Sequence, residues 1–227
     1  YGIKKLRFHS DIFTLKWDYT IKLCKRMIEE DLDYLWFCFA HVNHLDREQL
    51  EWMKRAGCER ILVGFESGSQ KILDYINKGI SVDRSLKIGR MIKDFGINFT
   101  GDFMVNFPGE NYEDLMKTDK LIQKMPMDLS CISLLLPFPG TDIFEVAKER
   151  GYENPFDWSD WDRHKNFYHF SEVPVKELKR LKKLMTVKSF FYNKNFYLYL
   201  LKSLGKRITS LRFNILNDLK AITVYFV

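Results

Sequence analysis

Short apolar runs of strand length alternate along the chain with segments whose apolar residues recur every three or four positions. Residues 4–8 read as a short strand. Residues 18–30 carry Ile21, Leu23, Cys24, Met27 and Ile28 at helical spacing, and residues 34–39 form a continuous apolar run. Asp46 precedes the next helical segment, with Gln49 three residues later at capping-box spacing and Gly57 as its stop. The spacing then predicts a strand over 60–65, a helix from Ser69 to about Gly79, a helix over 83–95 closed by Gly96, and a strand over 97–105. A helix over 112–124, a strand over 129–136 and a helix over 141–150 closed by Gly151 follow.

Apolar strands separated by amphipathic helices imply parallel strands with helical crossovers, either a (β/α) barrel or a doubly wound sheet. After Gly151 the pattern changes. Residues 154–169 hold Trp158, Trp161, Phe167 and Tyr168 among polar residues and read as an irregular, aromatic-pinned loop. Pro174 opens a helical pair in which Val175, Leu178, Leu181, Leu184 and Met185 form an apolar stripe and Lys176, Lys179, Arg180, Lys182 and Lys183 fill the remainder. Residues 205–227 allow one more amphipathic helix. The chain thus divides into an α/β body over 1–151, a linker over 152–173 and a helical tail over 174–227.

Composition changes this picture in two ways. Charge is uneven: residues 173–227 hold 12 Lys/Arg against 2 Asp/Glu, and residues 1–172 hold 24 against 28. A basic tail on a mildly acidic body suggests an anionic partner, set against a solvated helical face. Cysteine usage is the second point. Cys24, Cys38, Cys58 and Cys131 stand at no CxxC or CxxxCxxC spacing, inside apolar runs, and read as reduced core residues of a cytoplasmic protein. No apolar run approaches the ~20 residues of a membrane-spanning helix.

Ligands of parallel α/β folds gather at the carboxyl ends of the strands, and polar or turn-forming residues stand at each of these ends. They are His9-Ser10-Asp11, Ala40-His41, Glu66-Ser67-Gly68-Ser69, Asn106-Phe107-Pro108-Gly109-Glu110 and Pro137-Phe138-Pro139-Gly140-Thr141. Glu66 follows an apolar strand directly, where a carboxylate needs a partner. Hydroxyls or an amine of a ligand would serve; so would the amides of the next helix. Thr141 is placed to cap the helix behind it. His9, His41 and His44 lie near the same end, but their spacing matches no helical pair or zinc pattern.

The order of these motifs resembles the radical S-adenosylmethionine (SAM) superfamily, most closely its group with an N-terminal cobalamin-binding domain. The resemblance runs over residues 3–204. Residues 57–69 with Asn77-Lys78-Gly79-Ile80 are similar to the family's fourth strand, Phe8-His9-Ser10-Asp11-Ile12-Phe13 to its second, and residues 36–42 to its third. Residues 103–110 are similar to the fifth strand, residues 137–141 to the sixth, and Phe190-Phe191-Tyr192 to a segment after the barrel.

The resemblance implies a partial (β/α)6 TIM-like barrel that lacks its first βα unit here, followed by a C-terminal helical tail. It implies a [4Fe-4S] cluster held by a CxxxCxxC loop ahead of Tyr1, so that this chain alone is inactive. SAM would be cleaved to a 5′-deoxyadenosyl radical for methylation, cyclisation or rearrangement of an unactivated carbon. Cobalamin, an upstream cobalamin-binding domain, a reductase or flavodoxin-type electron donor and a small-molecule or lipid-like substrate belong to the same expectation. Ser10 and Asp11 would lie near the SAM amino group, Glu66 and Ser67 near ribose and methionine, Asn106 and its turn beside SAM, and Leu135 and Leu136 near adenine. His41 stands where many relatives have Arg, and Asn106 where Gly is common. Two alternatives remain at this point: a non-catalytic barrel remnant whose basic tail binds an anionic surface or nucleic acid, and an RNA methylthiotransferase-type radical SAM enzyme.

Overall fold

The computed structural model describes residues 2–152 and 168–192. They form strands β1 (Lys5–Arg7), β2 (Leu35–His41), β3 (Cys58–Glu66), β4 (Asn98–Val105) and β5 (Leu129–Leu134). The helices are α1 (Trp17–Glu29), α2 (Arg47–Arg55), α3 (Gln70–Tyr75), α4 (Val82–Asp94), α5 (Tyr112–Lys124), α6 (Asp142–Glu149) and α7 (Val175–Tyr192). The sheet order is β1-β2-β3-β4-β5, and every neighbouring pair is parallel. A doubly wound sheet would reverse its strand order at a switch point. This sheet never does, so the curled half-barrel is the form the sequence takes.

Side-chain alternation separates the two faces. On β2, Trp36, Cys38 and Ala40 are buried, whereas Phe37, Phe39 and His41 between them are half-buried. The buried set packs with Met27, Leu50, Met53, Ile88, Ile92, Leu115 and Ile122 of the helices in one core. The other face carries no helix among the described residues. Register sets its rows: Arg7, Phe37, Arg60 and Asn98; then Phe39, Leu62, Thr100 and Leu129; then His41, Gly64, Asp102 and Cys131.

Local signals account for most boundaries. Asp46 accepts the Gln49 amide at 2.8 Å and starts α2, Ser81 accepts the Arg84 amide at 3.1 Å and starts α4, and Asn111 and Asp114 close a reciprocal box on α5. Four expectations are corrected. The Gln49 side chain donates to the Thr14 carbonyl at 3.2 Å, so its carboxamide is taken by the loop after β1 and completes no box. Helix α3 ends at Tyr75, short of Gly79, because Asn77 (φ +50°) turns the chain into the loop that carries Lys78. Thr141 caps α6 with backbone alone, its hydroxyl donating to Phe138 O. On α7, Leu178 and Met185 are buried, but Val175 and Leu184 are exposed, so the stripe is narrower than the sequence suggests.

Cys24, Cys38 and Cys58 are buried free thiols, and Cys131 is a half-buried one. No helix among the described residues is long and apolar enough to cross a membrane. Most of the aromatic loop over 154–169, the further helix over 205–227 and much of the basic tail lie outside the described residues.

Candidate functional site

The carboxyl end of β3 is shaped by one small residue and one left-handed one. Glu66 adopts φ +62° at a register shift against β4, which turns its side chain back over the strand. A Cβ on Gly64 would stand 2.5 Å from Glu66 Oε1, so glycine there lets the carboxylate lie over the strand and a larger residue would push it aside. The partner of Glu66 is an amine of the protein itself: Lys78 Nζ donates to Oε1 at 2.7 Å, and both side chains are largely buried. Asn43 Nδ2 holds the Lys78 loop by donating to Gly79 O at 2.7 Å.

His41 joins the same cluster through the backbone of Lys78, and its Nδ1 accepts the Asn43 amide at 3.2 Å. Burial first, then the Lys78 charge and His44, hold its pKa below the usual histidine value, which favours the neutral ring. Asp102, in the row of Gly64, faces this cluster from β4. Burial, reinforced by the Glu66 charge and opposed by Lys78, pushes its carboxyl up to about 7. The cluster therefore offers one carboxylate already paired, one titrating near neutrality, a neutral imidazole and an ammonium.

Ser10 and Asp11 occupy an exposed loop above β1 and β2. The Phe8 and Phe13 amides pin its two ends to Phe37 O at 3.0 Å and Phe39 O at 2.9 Å. Leu135 and Leu136 follow β5 half-buried, and the Leu135 amide extends the ladder to Val105 O at 2.9 Å.

Two of the expected residues turn into the protein instead. The Ser67 hydroxyl is fully buried, 3.1 Å from Thr118 Oγ1, and accepts the Ser69 amide at 3.1 Å. Ser69 donates to Asp114 Oδ1 at 2.6 Å, Lys71 pairs with Asp114 at 2.9 Å, and a Cβ on Gly68 would stand 2.3 Å from Lys117 O. This set of bonds seats the β3–α3 turn on α5. Asn106, at φ +82°, uses its whole carboxamide on the segment before α7. Nδ2 donates to Tyr168 O, and Oδ1 accepts the Phe170 and Ser171 amides at 2.9 and 3.3 Å.

Glu110 braces that clasp from below. Its Oε2 accepts the Asn106 and Phe107 amides, and its carbonyl accepts the Glu172 amide at 2.8 Å. Its Oε1 is buried with no hydrogen-bond partner among the described residues. Burial raises the Glu110 carboxyl to about 7 against the pull of the two amides.

Glu66 and His41, both expected at the strand ends, lie in one cluster, and the sequence reading missed Lys78 as their link and Asp102 as their neighbour. A signal for Asp102 existed: it is the one charged residue in the run over 97–105. Among the described residues, no group of three or more His, Cys, Asp or Glu side chains could hold a metal ion.

Residues 1–122 match the family model described as the Radical SAM superfamily. The chain is 31% identical over 183 residues to an uncharacterized methyltransferase of Pyrococcus horikoshii, covering 79% of this chain and 40% of that protein. It is 30% identical over 179 residues to bacteriochlorophyllide d C-12(1)-methyltransferase of Chlorobaculum tepidum, covering 77% of this chain and 38% of the relative. It thus spans about 40% or less of the length of these relatives. Its fold superposes on the radical S-adenosylmethionine methyltransferase TsrM from Kitasatospora setae, solved with tryptophan substrate and a SAM analogue. The TM-score there is 0.65 at 16% identity, over 79% of this chain and 42% of that one.

Proposed function

Because the chain belongs to the radical SAM superfamily, we propose that it is the SAM-binding part of a longer enzyme that methylates, cyclises or rearranges an unactivated carbon. The observation that carries this reading is the cluster of Glu66, Lys78, His41 and Asp102 at the carboxyl ends of β2, β3 and β4. SAM presents an ammonium, a sulfonium and ribose hydroxyls. Two carboxylates, one held by Lys78 and one titrating near neutrality, fit those groups as acceptors and counter-charges.

On this reading Glu66 receives the ribose, with Lys78 fixing its rotamer, and Asp102 faces the cationic end of the ligand. Neutral His41 takes the place of a fixed cation. Ser10 and Asp11 stand at the outer rim near the amino group, and the backbone of Leu135 and Leu136 borders the adenine. Ser67 and Asn106 serve indirectly, by seating the two turns that border SAM.

SAM bound here supplies the radical and methyl-transfer chemistry of the superfamily. The cysteines of this chain do not fit the [4Fe-4S] cluster that chemistry uses: Cys24, Cys38 and Cys58 are closed into the core. On this reading the cluster ligands are supplied from outside these residues, and these residues by themselves do not cleave SAM. TsrM has also been solved with cobalamin and a [4Fe-4S] cluster bound, which supports cobalamin as a further cofactor of the whole enzyme; an upstream domain to hold it and a separate electron donor complete the proposal.

Equilibrium dialysis of SAM against the 227-residue chain tests the assignment. Glu66→Gln should weaken binding about tenfold, the usual worth of one charge-assisted hydrogen bond. An unchanged dissociation constant would remove Glu66 from the site.

A further inference from the structure

The helix-free face of the sheet carries a second charge pattern, away from the strand ends. Register puts Arg7, Phe37 and Arg60 in one row across β1, β2 and β3. The Arg7 guanidinium lies over the rings of Phe37 and Phe39, 5.0 and 5.2 Å from their centroids. Neither arginine has a carboxylate partner among the described residues, and the nearest acid in sequence, Glu59, pairs with Lys5 at 3.4 Å. Two strand spacings separate the arginine backbones, about 9–10 Å, with an aromatic ring between them.

The floor beyond this row is apolar. Phe39 and Leu62 follow, in a row with Thr100, whose Oγ1 is buried without a hydrogen-bond partner. Four residues along β3 from Arg60, about 13 Å at strand rise, the row of Gly64 and Asp102 begins the cluster already described. One end of the floor is therefore cationic and the other holds carboxylates.

We propose that this face binds a flat ring system bearing carboxylate groups, which Arg7 and Arg60 pair while the ring lies over Phe39 and Leu62 toward the strand ends. A guanidinium stacked on aromatic rings keeps its hydrogen-bonding edge free and planar, the geometry that suits a carboxylate. Asp102 repels a carboxylate at the far end, so the ligand has one favoured orientation, with its uncharged edge toward the SAM-binding cluster. At that end the Glu66–Lys78 pair lies over Gly64 and closes the floor. The proposal rests on the reading of the previous subsection in one respect: it makes this ligand the substrate.

Protoporphyrin IX, a flat dicarboxylic acid, and its dimethyl ester are the probes, titrated by fluorescence into the 227-residue chain. The free acid should bind more tightly than the ester. The double variant Arg7→Gln/Arg60→Gln should lose about tenfold or more in affinity for the acid, and little for the ester. Arg7 is exposed and Arg60 half-buried, so the variant should melt with the wild-type chain, and Arg7→Lys/Arg60→Lys should recover part of the affinity. Equal binding of acid and ester by the wild-type chain would overturn the proposal. So would an unchanged affinity in the double glutamine variant, which would show porphyrin adhering elsewhere. The measurement uses neither SAM nor a cluster. Its failure leaves the Glu66 assignment standing, and failure of the SAM dialysis leaves the arginine site to be judged on its own data.

Discussion

Glu66 and Asn106 end neighbouring strands of one sheet, both with left-handed backbone, φ +62° and +82°, and both buried. A non-glycine residue in that region is strained and marks a place where the surroundings over-determine the backbone. Their side chains nevertheless do opposite work. Glu66 turns over Gly64 to the helix-free face and meets Lys78. Asn106 turns to the chain that follows the sheet and clasps Tyr168, Phe170 and Ser171. One strained strand end meets an amine beside the proposed SAM site, and the other holds the segment leading to α7. The backbone signature identifies a site under constraint. The partner decides whether that constraint serves binding or assembly.

The sharpest way to break the comparison is at Asn106. Asn106→Ala removes the clasp and places a Cβ-bearing residue without compensating bonds at φ +82°. Unfolding in urea should show a loss of about 3 kcal/mol. Asn106→Gly should lose less, since glycine accepts the backbone and only the side-chain bonds go. Wild-type stability in the alanine variant would mean that the clasp holds nothing.

The next effect is in pH. Asp102 beside Glu66 and Glu110 beneath the clasp both have folded pKa values raised to about 7. Between the ordinary carboxylate range and pH 7 the folded chain therefore holds more protons than the unfolded one. Their contribution is fully present below the unfolded values, falls as pH rises through this window and levels off above it. Asp102→Asn removes its share: at pH 8 the variant should be more stable than wild type by about 2 kcal/mol, with a shallower loss between pH 5 and 8. Denaturation series at several pH values that stay flat, or rise with pH, would contradict the assignment.

The smallest stability effect belongs to Glu66. Glu66→Gln keeps the shape and a hydrogen bond to Lys78, and Asp102 remains beside Lys78 as a counter-charge, so the loss of unfolding free energy should be about 1 kcal/mol while, on the proposed reading, SAM binding weakens. A loss as large as that of Asn106→Ala would make Glu66 a structural residue too, and the contrast between the two strand ends would vanish.

Much of the architecture was legible. Helix α5 begins and ends where its periodicity places it, and the five strands follow the five expected runs. Shortfalls arose where a side chain is claimed from far away. Gln49 was read as a helix cap, but the loop carrying Thr14 takes its amide. Thr141 was read as a side-chain cap, but its hydroxyl turns back to Phe138. Glu66 stood out as a carboxylate needing a partner. Its partner, 12 residues on beyond a whole helix, has no sequence signal of its own. Asp102 was read only as part of a strand, because alternation does not say which face of a parallel sheet helices will leave open.

By itself the sequence determined the order of strands and helices, their parallel winding, the polar rim at the strand ends and the resemblance that named the superfamily. These rest on local periodicity, caps and motif spacing, which act within a few residues. Tertiary structure alone decided that Ser67 and Asn106 point into the protein, that Lys78 links Glu66 to His41, and that Arg7 and Arg60 share a row with Phe37. Each of those outcomes is a contact between residues 12 to 65 positions apart. It depends on strand register and on the turns that set it, and no local pattern encodes either one.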